Sequence, residues 1–179
     1  MANTEHIYLT GFRGTGKTSV GTLLARSLGR TVIDLDGVVT ANAGKSIREI
    51  FQDGGEAAFR ELETSALESV SQAGNAVISL GGGAILRAGN RAVIRSTGTC
   101  FWLECDAETI ALRLQQDQVS VEQRPALTTL DKLQEIRELL QARHALYQEV
   151  SDYRVDTAGM TIEQVADQII ELLPGNAPS

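Results

Sequence analysis

The chain has 179 residues, of which 42% are hydrophobic and 22% charged, and its formal net charge is −7. That length suits one domain with a substantial core, and the acidic balance excludes a general nucleic-acid-binding surface. No apolar run reaches membrane-spanning length. Met1-Ala2-Asn3-Thr4-Glu5 lacks the basic start and apolar stretch of a secretory signal, so a cytoplasmic location is expected.

The first apolar run, His6-Ile7-Tyr8-Leu9-Thr10, predicts a strand over 6–10. It leads into Gly11-Phe12-Arg13-Gly14-Thr15-Gly16-Lys17-Thr18, a full match to the phosphate-loop pattern G-x-x-x-x-G-K-[ST]. Val20, Leu23, Leu24, Ser27 and Leu28 then recur at helical spacing, predicting a helix over about 17–28. Each part serves anion binding. Glycines let backbone N–H groups approach phosphate oxygens without a Cβ between them. The helix turns its positive dipole end toward the anion. Lys17 reaches the outer phosphates, and the Thr18 hydroxyl suits Mg²⁺.

A second strand, 31–34, ends in Asp34-Leu35-Asp36. On an extended segment, carboxylates at i and i+2 point the same way. Beside a phosphate loop they can divide two tasks, one holding a metal and the other meeting a substrate hydroxyl. The same pattern, met alone, reads as a helix N-cap. Helical patterns follow at 36–43, 46–53 and 56–73. Gly44-Lys45-Ser46 imitates the end of a second phosphate loop, but Val39 stands where the earlier glycine belongs. Ser46 is instead an N-cap, with Glu49 completing a capping box. Further on, Phe59, Leu62 and Ala66 mark a buried face, and Arg60 lies at its edge within reach of Glu56 and Glu63.

The strand 76–80 runs into Gly81-Gly82-Gly83, which permits close approach of backbone to a ligand. After a helix at 89–95 comes the strand 99–104, whose apolar run Phe101-Trp102-Leu103 is flanked by Cys100 and Cys105. These point to opposite faces and are expected to be buried free thiols. A helix at 107–115 precedes the polar, aperiodic stretch Gln115–Thr129, expected to be a mobile lid that carries Arg124-Pro125. In the helix at 130–150, Leu133, Ile136, Leu140, Arg143 and Tyr147 form one inward face. Arg143 takes an apolar slot there and calls for an anionic partner, either an internal carboxylate or one on a ligand. A last strand at 153–156 and helix at 161–173 complete a strand–helix alternation that predicts an open, mostly parallel sheet covered on both faces. His6 and His144 read as structural.

The set of motifs closely resembles the shikimate kinase family over about residues 6–173. The resemblance is carried by Gly11–Thr18, Asp34-Leu35-Asp36, Gly55-Glu56-x-x-Phe59-Arg60-x-x-Glu63, Leu80-Gly81-Gly82-Gly83, Arg124-Pro125-Ala126-Leu127, Arg143-x-x-x-Tyr147 and Val155-Asp156-Thr157. It implies a three-layer α/β P-loop kinase fold of the nucleoside-monophosphate-kinase type, with a five-stranded parallel sheet and a lid. It implies one kinase domain over 1–173, with a flexible tail at 174–179.

The implied reaction is transfer of the ATP γ-phosphoryl group to shikimate. Asp36, Arg60 and Arg143 would bind shikimate with the Gly81, Gly82 and Gly83 loop. The two arginines would grip its carboxylate, and Asp36 would accept the proton of its reacting hydroxyl. Gly11, Gly14, Thr15, Gly16, Lys17, Thr18 and Ser19 would cradle ATP, with Arg124 closing over the phosphates. Thr18 would ligate Mg²⁺, supported by Asp34. A cytoplasmic monomer acting on small molecules is expected, without nucleic acid or membrane. Three features depart from the family's usual pattern: Ala126 stands where leucine is usual, the preceding stretch Gln115–Gln123 is longer than expected and carries no basic residue, and no arginine follows Val155-Asp156-Thr157. No Asn-Lys-x-Asp guanine motif is present, which argues against a switch GTPase.

Overall fold

A computed structural model of the chain describes residues 5–116 and 132–174. Five parallel strands form one sheet: β1 (His6–Thr10), β2 (Thr31–Asp34), β3 (Ala76–Ser79), β4 (Gly98–Glu104) and β5 (Tyr153–Asp156). Their order is β2-β3-β1-β4-β5, with Ile7 opposite Val77 and Thr99 on its two sides. The helices are α1 (Lys17–Leu28), α2 (Leu35–Ala43), α3 (Ile47–Ser71), α4 (Ala88–Thr97), α5 (Ala107–Gln116), α6 (Lys132–Val150) and α7 (Ile162–Leu172).

The central strands alternate apolar residues between two covered faces. Ile7, Leu9, Val77, Phe101 and Leu103 meet Val20 and Leu24 of α1 and Val165 and Ile169 of α7. Tyr8, Ile78, Cys100 and Trp102 join the opposite core, with Leu35 and Val39 of α2, Phe59 and Leu67 of α3, Ile94 of α4 and Tyr147 of α6. A smaller cluster of Phe12, Cys105, Ile110 and Ile136 joins the phosphate loop to α5 and α6. Both cysteines are buried and free. Burial, with the Asp152 charge adding to it, pushes the Cys100 thiol far up, so it stays an inert thiol.

Three expectations shift. Strands β2 and β5 lie at the sheet edges and are largely exposed rather than covered on both faces. On α1 the inward face is Val20, Gly21, Leu24 and Ala25, and Ser27 is exposed. A Cβ on Gly21 would lie 3.3 Å from Leu9, so the small residues are what let α1 sit close to the sheet. Asp36 is not on an extended segment: β2 ends at Asp34 and α2 begins at Leu35. The two carboxylates therefore share a site because a strand end and a helix start converge there.

The capping box at Ser46 forms as expected, its hydroxyl accepting from the Glu49 N–H at 3.2 Å. The separate helices expected at 46–53 and 56–73 correspond to α3, whose course is interrupted at Gly55 with φ +69°. Of the stretch expected to form a lid, Gln115 and Gln116 end α5, while the rest, Arg124 included, lies outside the described residues.

Candidate active site

Every motif singled out among the described residues stands at the carboxyl ends of the parallel strands or on an adjoining helix, where ligands bind in open α/β sheets. The loop after β1 curls into the start of α1. Gly14 and Gly16 take φ values of +82° and +90°, a region closed to most side chains. The Thr15 hydroxyl donates to the Phe12 carbonyl at 2.8 Å, so Thr15 shapes the loop from within. Lys17 arches across it, Nζ donating to the Gly11 and Phe12 carbonyls at 2.8 and 2.9 Å. Thr18 and Ser19 are exposed at the start of α1.

A cleft of about 300 Å³ opens in front of this loop. Gly14, Gly16, Lys17, Thr18 and Ser19 form one wall, Asp34 and Asp36 another, and Gly81 and Gly82 the third. The phosphate loop, the acid pair and two of the three glycines thus meet in one space, while Gly83, Arg60 and Arg143 are not among the residues lining it. Gly11 and Thr15 lie behind it, buried.

Close approach, not backbone conformation, favours glycine at two of the three positions, Gly81 and Gly83. None of the three has a positive φ; each sits against a different functional group. A Cβ on Gly81 would lie 2.7 Å from Asp36 Oδ1 and 2.8 Å from Glu63 Oε1. On Gly82 it would stand 3.7 Å from the Arg13 backbone nitrogen and 3.9 Å from Arg143 Nη1. On Gly83 it would collide with the Arg60 guanidinium, 2.5 Å from Cζ. Glycine at 81 and 83 lets the Asp36 and Glu63 carboxylates and the Arg60 guanidinium come close, while Arg143 meets Gly82 at ordinary contact distance.

Arg60 is held by both acids that flank it: Nη1 donates to Glu63 Oε2 at 2.8 Å, and Nη2 to Glu56 Oε1 at 3.2 Å. Burial works against its charge, but the Glu63 and Glu56 carboxylates outweigh that effect and raise its pKa further. Glu63 is fully buried, a placement its position beside Phe59 and Ala66 on the buried face would have signalled. Arg143 is half-buried and donates to the Gly82 carbonyl at 3.1 Å. Among the described residues it makes no ion pair, so the internal-carboxylate alternative is not realised there. Its guanidinium stands over the Phe12 ring at 5.8 Å. Tyr147, stacked on Trp102, directs its hydroxyl to the same Gly82 carbonyl at 3.4 Å. Its pKa is raised by burial, with Arg143 opposing, so it stays a neutral donor.

Arg113 of α5 escaped the sequence reading. Nη1 donates to the Gly14 carbonyl at 3.3 Å and Nη2 to the Thr157 carbonyl at 3.3 Å, bracing the phosphate loop against the turn after β5. A single arginine on a surface helix gives no pattern from which this is legible. His6 and His144 both make contacts with the sheet. His6 accepts from the Ala76 N–H at 3.3 Å, and His144 meets the edge of Trp102.

The oxygen donors of Thr18 and Asp34 on one cleft suit a hard, hydrated cation such as Mg²⁺, which needs few protein ligands beside phosphate oxygens. No helix of the described residues is long and apolar enough to cross a membrane.

Comparison with known proteins agrees with this geometry. The family model described as shikimate kinase matches residues 13–174. The shikimate kinase of Rhodopirellula baltica is 38% identical over 96% of this chain and 92% of its own length. That of Geobacter sulfurreducens is 41% identical over 92% of this chain and 88% of its own. Among solved structures, the shikimate kinase of Acinetobacter baumannii in complex with shikimate superposes with a TM-score of 0.89 at 34% identity, covering 98% of this chain and 96% of that one. The matched length and the identity of these relatives, together with a phosphate loop, paired acids and glycine platform on one cleft, place the chain in the shikimate kinase family of ATP-dependent phosphotransferases.

Proposed function

We propose that the cleft transfers the γ-phosphoryl group of ATP in line to the 3-hydroxyl of shikimate, giving shikimate 3-phosphate and ADP in aromatic amino-acid biosynthesis. The observation that carries this reading is the gathering of Asp36, Arg143 and Arg60 along Gly81, Gly82 and Gly83, opposite Lys17 and the phosphate loop. An acceptor with both a carboxylate and a hydroxyl fits that array. The acceptor carboxylate is assigned to the two guanidinium groups, which bind such groups bidentately. The reacting hydroxyl is assigned to Asp36, which takes its proton as the new P–O bond forms.

Catalysis of this type is positioning and charge stabilisation. Lys17 is assigned to the outer phosphates, and backbone N–H groups from Gly14 to Ser19 to the remaining oxygens, with the dipole of α1 adding positive potential. Thr18 and Asp34 would hold Mg²⁺, which when bound offsets phosphate charge. Arg124 is assigned to the transferring group on the family resemblance alone. The protein is expected to work as a cytoplasmic monomer built of one kinase domain.

The assignment of Asp36 is tested by Asp36→Asn. We expect kcat to fall by about 10²- to 10⁴-fold, the range for loss of a general base, while ATP binding measured by calorimetry stays within about twofold. An Asp36→Asn enzyme retaining near-normal kcat would remove the proton-acceptor role.

A further inference from the structure

The triple-glycine loop does not end at Gly83. A single 3₁₀ turn, Ala84–Leu86, follows it, with the Ala84 and Leu86 N–H groups returning to the Gly81 and Gly83 carbonyls, both at 3.1 Å. A turn this short cannot satisfy the carbonyls of Ala84, Ile85 and Leu86 itself. Two neighbouring side chains on α4 take all three. Asn90 Nδ2 donates to the Ala84 carbonyl at 2.9 Å. Arg91 Nη1 donates to the Ile85 and Leu86 carbonyls at 2.9 and 3.2 Å. The other edge of the same guanidinium, Nε, donates to Glu149 Oε1 at 2.9 Å.

Glu149 belongs to α6, the helix whose Arg143 and Tyr147 hold the Gly82 carbonyl. The contacts therefore close a ring. From Gly82 it passes through Arg143 and Tyr147 into α6, along α6 to Glu149, across to Arg91, and back through the 3₁₀ turn to the glycines. We propose that Arg91 and Glu149 are positioning residues that fix the spacing between the glycine platform and the Arg143 guanidinium, and so set the affinity for the acceptor. The proposal rests on the assignment of Arg143 and Gly82 to shikimate.

Arg91 is nearly buried, its side chain 12% exposed, and is held on one side by backbone carbonyls. Glu149 is 45% exposed. An ion pair with so wet a partner adds little to folding. Its geometric effect is larger, because it ties down the end of α6 about 1.7 turns beyond Arg143. The contacts of Arg91 and Glu149 are with the 3₁₀ turn and with each other, so they act through the platform and through α6.

The test is steady-state kinetics of the full chain with Glu149→Ala, Glu149→Gln and Arg91→Lys, varying shikimate and ATP separately. Glu149→Ala should raise the KM for shikimate by about five- to tenfold, well short of the ~10²-fold cost of misplacing reacting groups by 1 Å. Its KM for ATP and its kcat should stay within about twofold of wild type. Glu149→Gln keeps an oxygen acceptor in place and should return the shikimate KM to within about twofold. Arg91→Lys cannot serve the carbonyls and Glu149 together and should fall between.

Unchanged shikimate KM in Glu149→Ala overturns the proposal. So does a parallel rise in both KM values, or a rise that Glu149→Gln fails to reverse. Wild-type protein without shikimate-dependent turnover would instead overturn the functional reading itself, so the two failures are distinguishable.

Discussion

At the scale of single residues, the two arginines facing the glycine platform differ in what they hold. Arg60 neutralises Glu63, which has no exposed surface, whereas Arg143 gives one described hydrogen bond to a carbonyl. Removing one partner of a buried pair leaves an uncompensated charge, at a cost of about 3–5 kcal/mol. Arg60→Ala should therefore lower stability by about that amount, read by urea unfolding, as well as raise the KM for shikimate. Arg143→Ala should raise the shikimate KM much more than that for ATP, with a stability loss of about 1 kcal/mol. Equal unfolding curves for the two variants would contradict this division. The sequence offered both Glu56 and Glu63 as partners of Arg60. The structure uses both, because i, i+3 and i, i+4 neighbours share one side of a helix.

Among the elements, helix starts were the most legible features. The Ser46 and Glu49 capping box was readable because its residues are local, and local chemistry needs no knowledge of the fold. What was not readable is contact at long range. Arg113 reaches Gly14 across 99 positions, and Arg91 reaches Glu149 across 58. No periodicity reports such pairs. The Asp34-Leu35-Asp36 geometry was misjudged for a related reason: alternation on a strand says nothing once a helix begins one residue later.

The start of α5 gives a pH test. Asp106 accepts from the Thr109 N–H at 2.7 Å and from its hydroxyl at 2.8 Å, and these bonds hold its carboxyl below the usual range. A depressed folded value means the contribution to stability is complete above the unfolded pKa of about 3.9. It is lost as pH falls through the lower folded value. Asp106→Asn should therefore show a shallower loss of stability than wild type as pH drops below about 4. Identical acid-unfolding profiles would mean that the cap contributes nothing.

For the whole molecule, the strand order places β1 between β3 and β4, so the phosphate loop faces the glycine platform on one side and the α5 brace on the other. The alternation of strands and helices made the parallel sheet legible. It did not say which strands take the edges, where β2 and β5 are exposed. A cleft assembled from loops after separate strands should stabilise on filling. Shikimate or ATP at about 100 times its dissociation constant contributes about 2.7 kcal/mol, or a Tm rise of about 5–10 °C for a chain of this size. Lys17→Ala should lose most of the shift with ATP, keep the shift with shikimate, and show almost no turnover. Turnover within about tenfold of wild type would remove Lys17 from the catalytic group.

The most direct test of the central claim is ADP release by the purified protein in Mg²⁺-ATP, with shikimate, gluconate or a nucleoside monophosphate as acceptor. Strong stimulation by shikimate alone is the predicted result, because on the proposed assignment only shikimate among these would present a ring carboxylate to Arg60 and Arg143 and a hydroxyl to Asp36. Stimulation by another acceptor, or none by shikimate, would contradict the account and detach Asp36, Arg60 and Arg143 from the acceptor site.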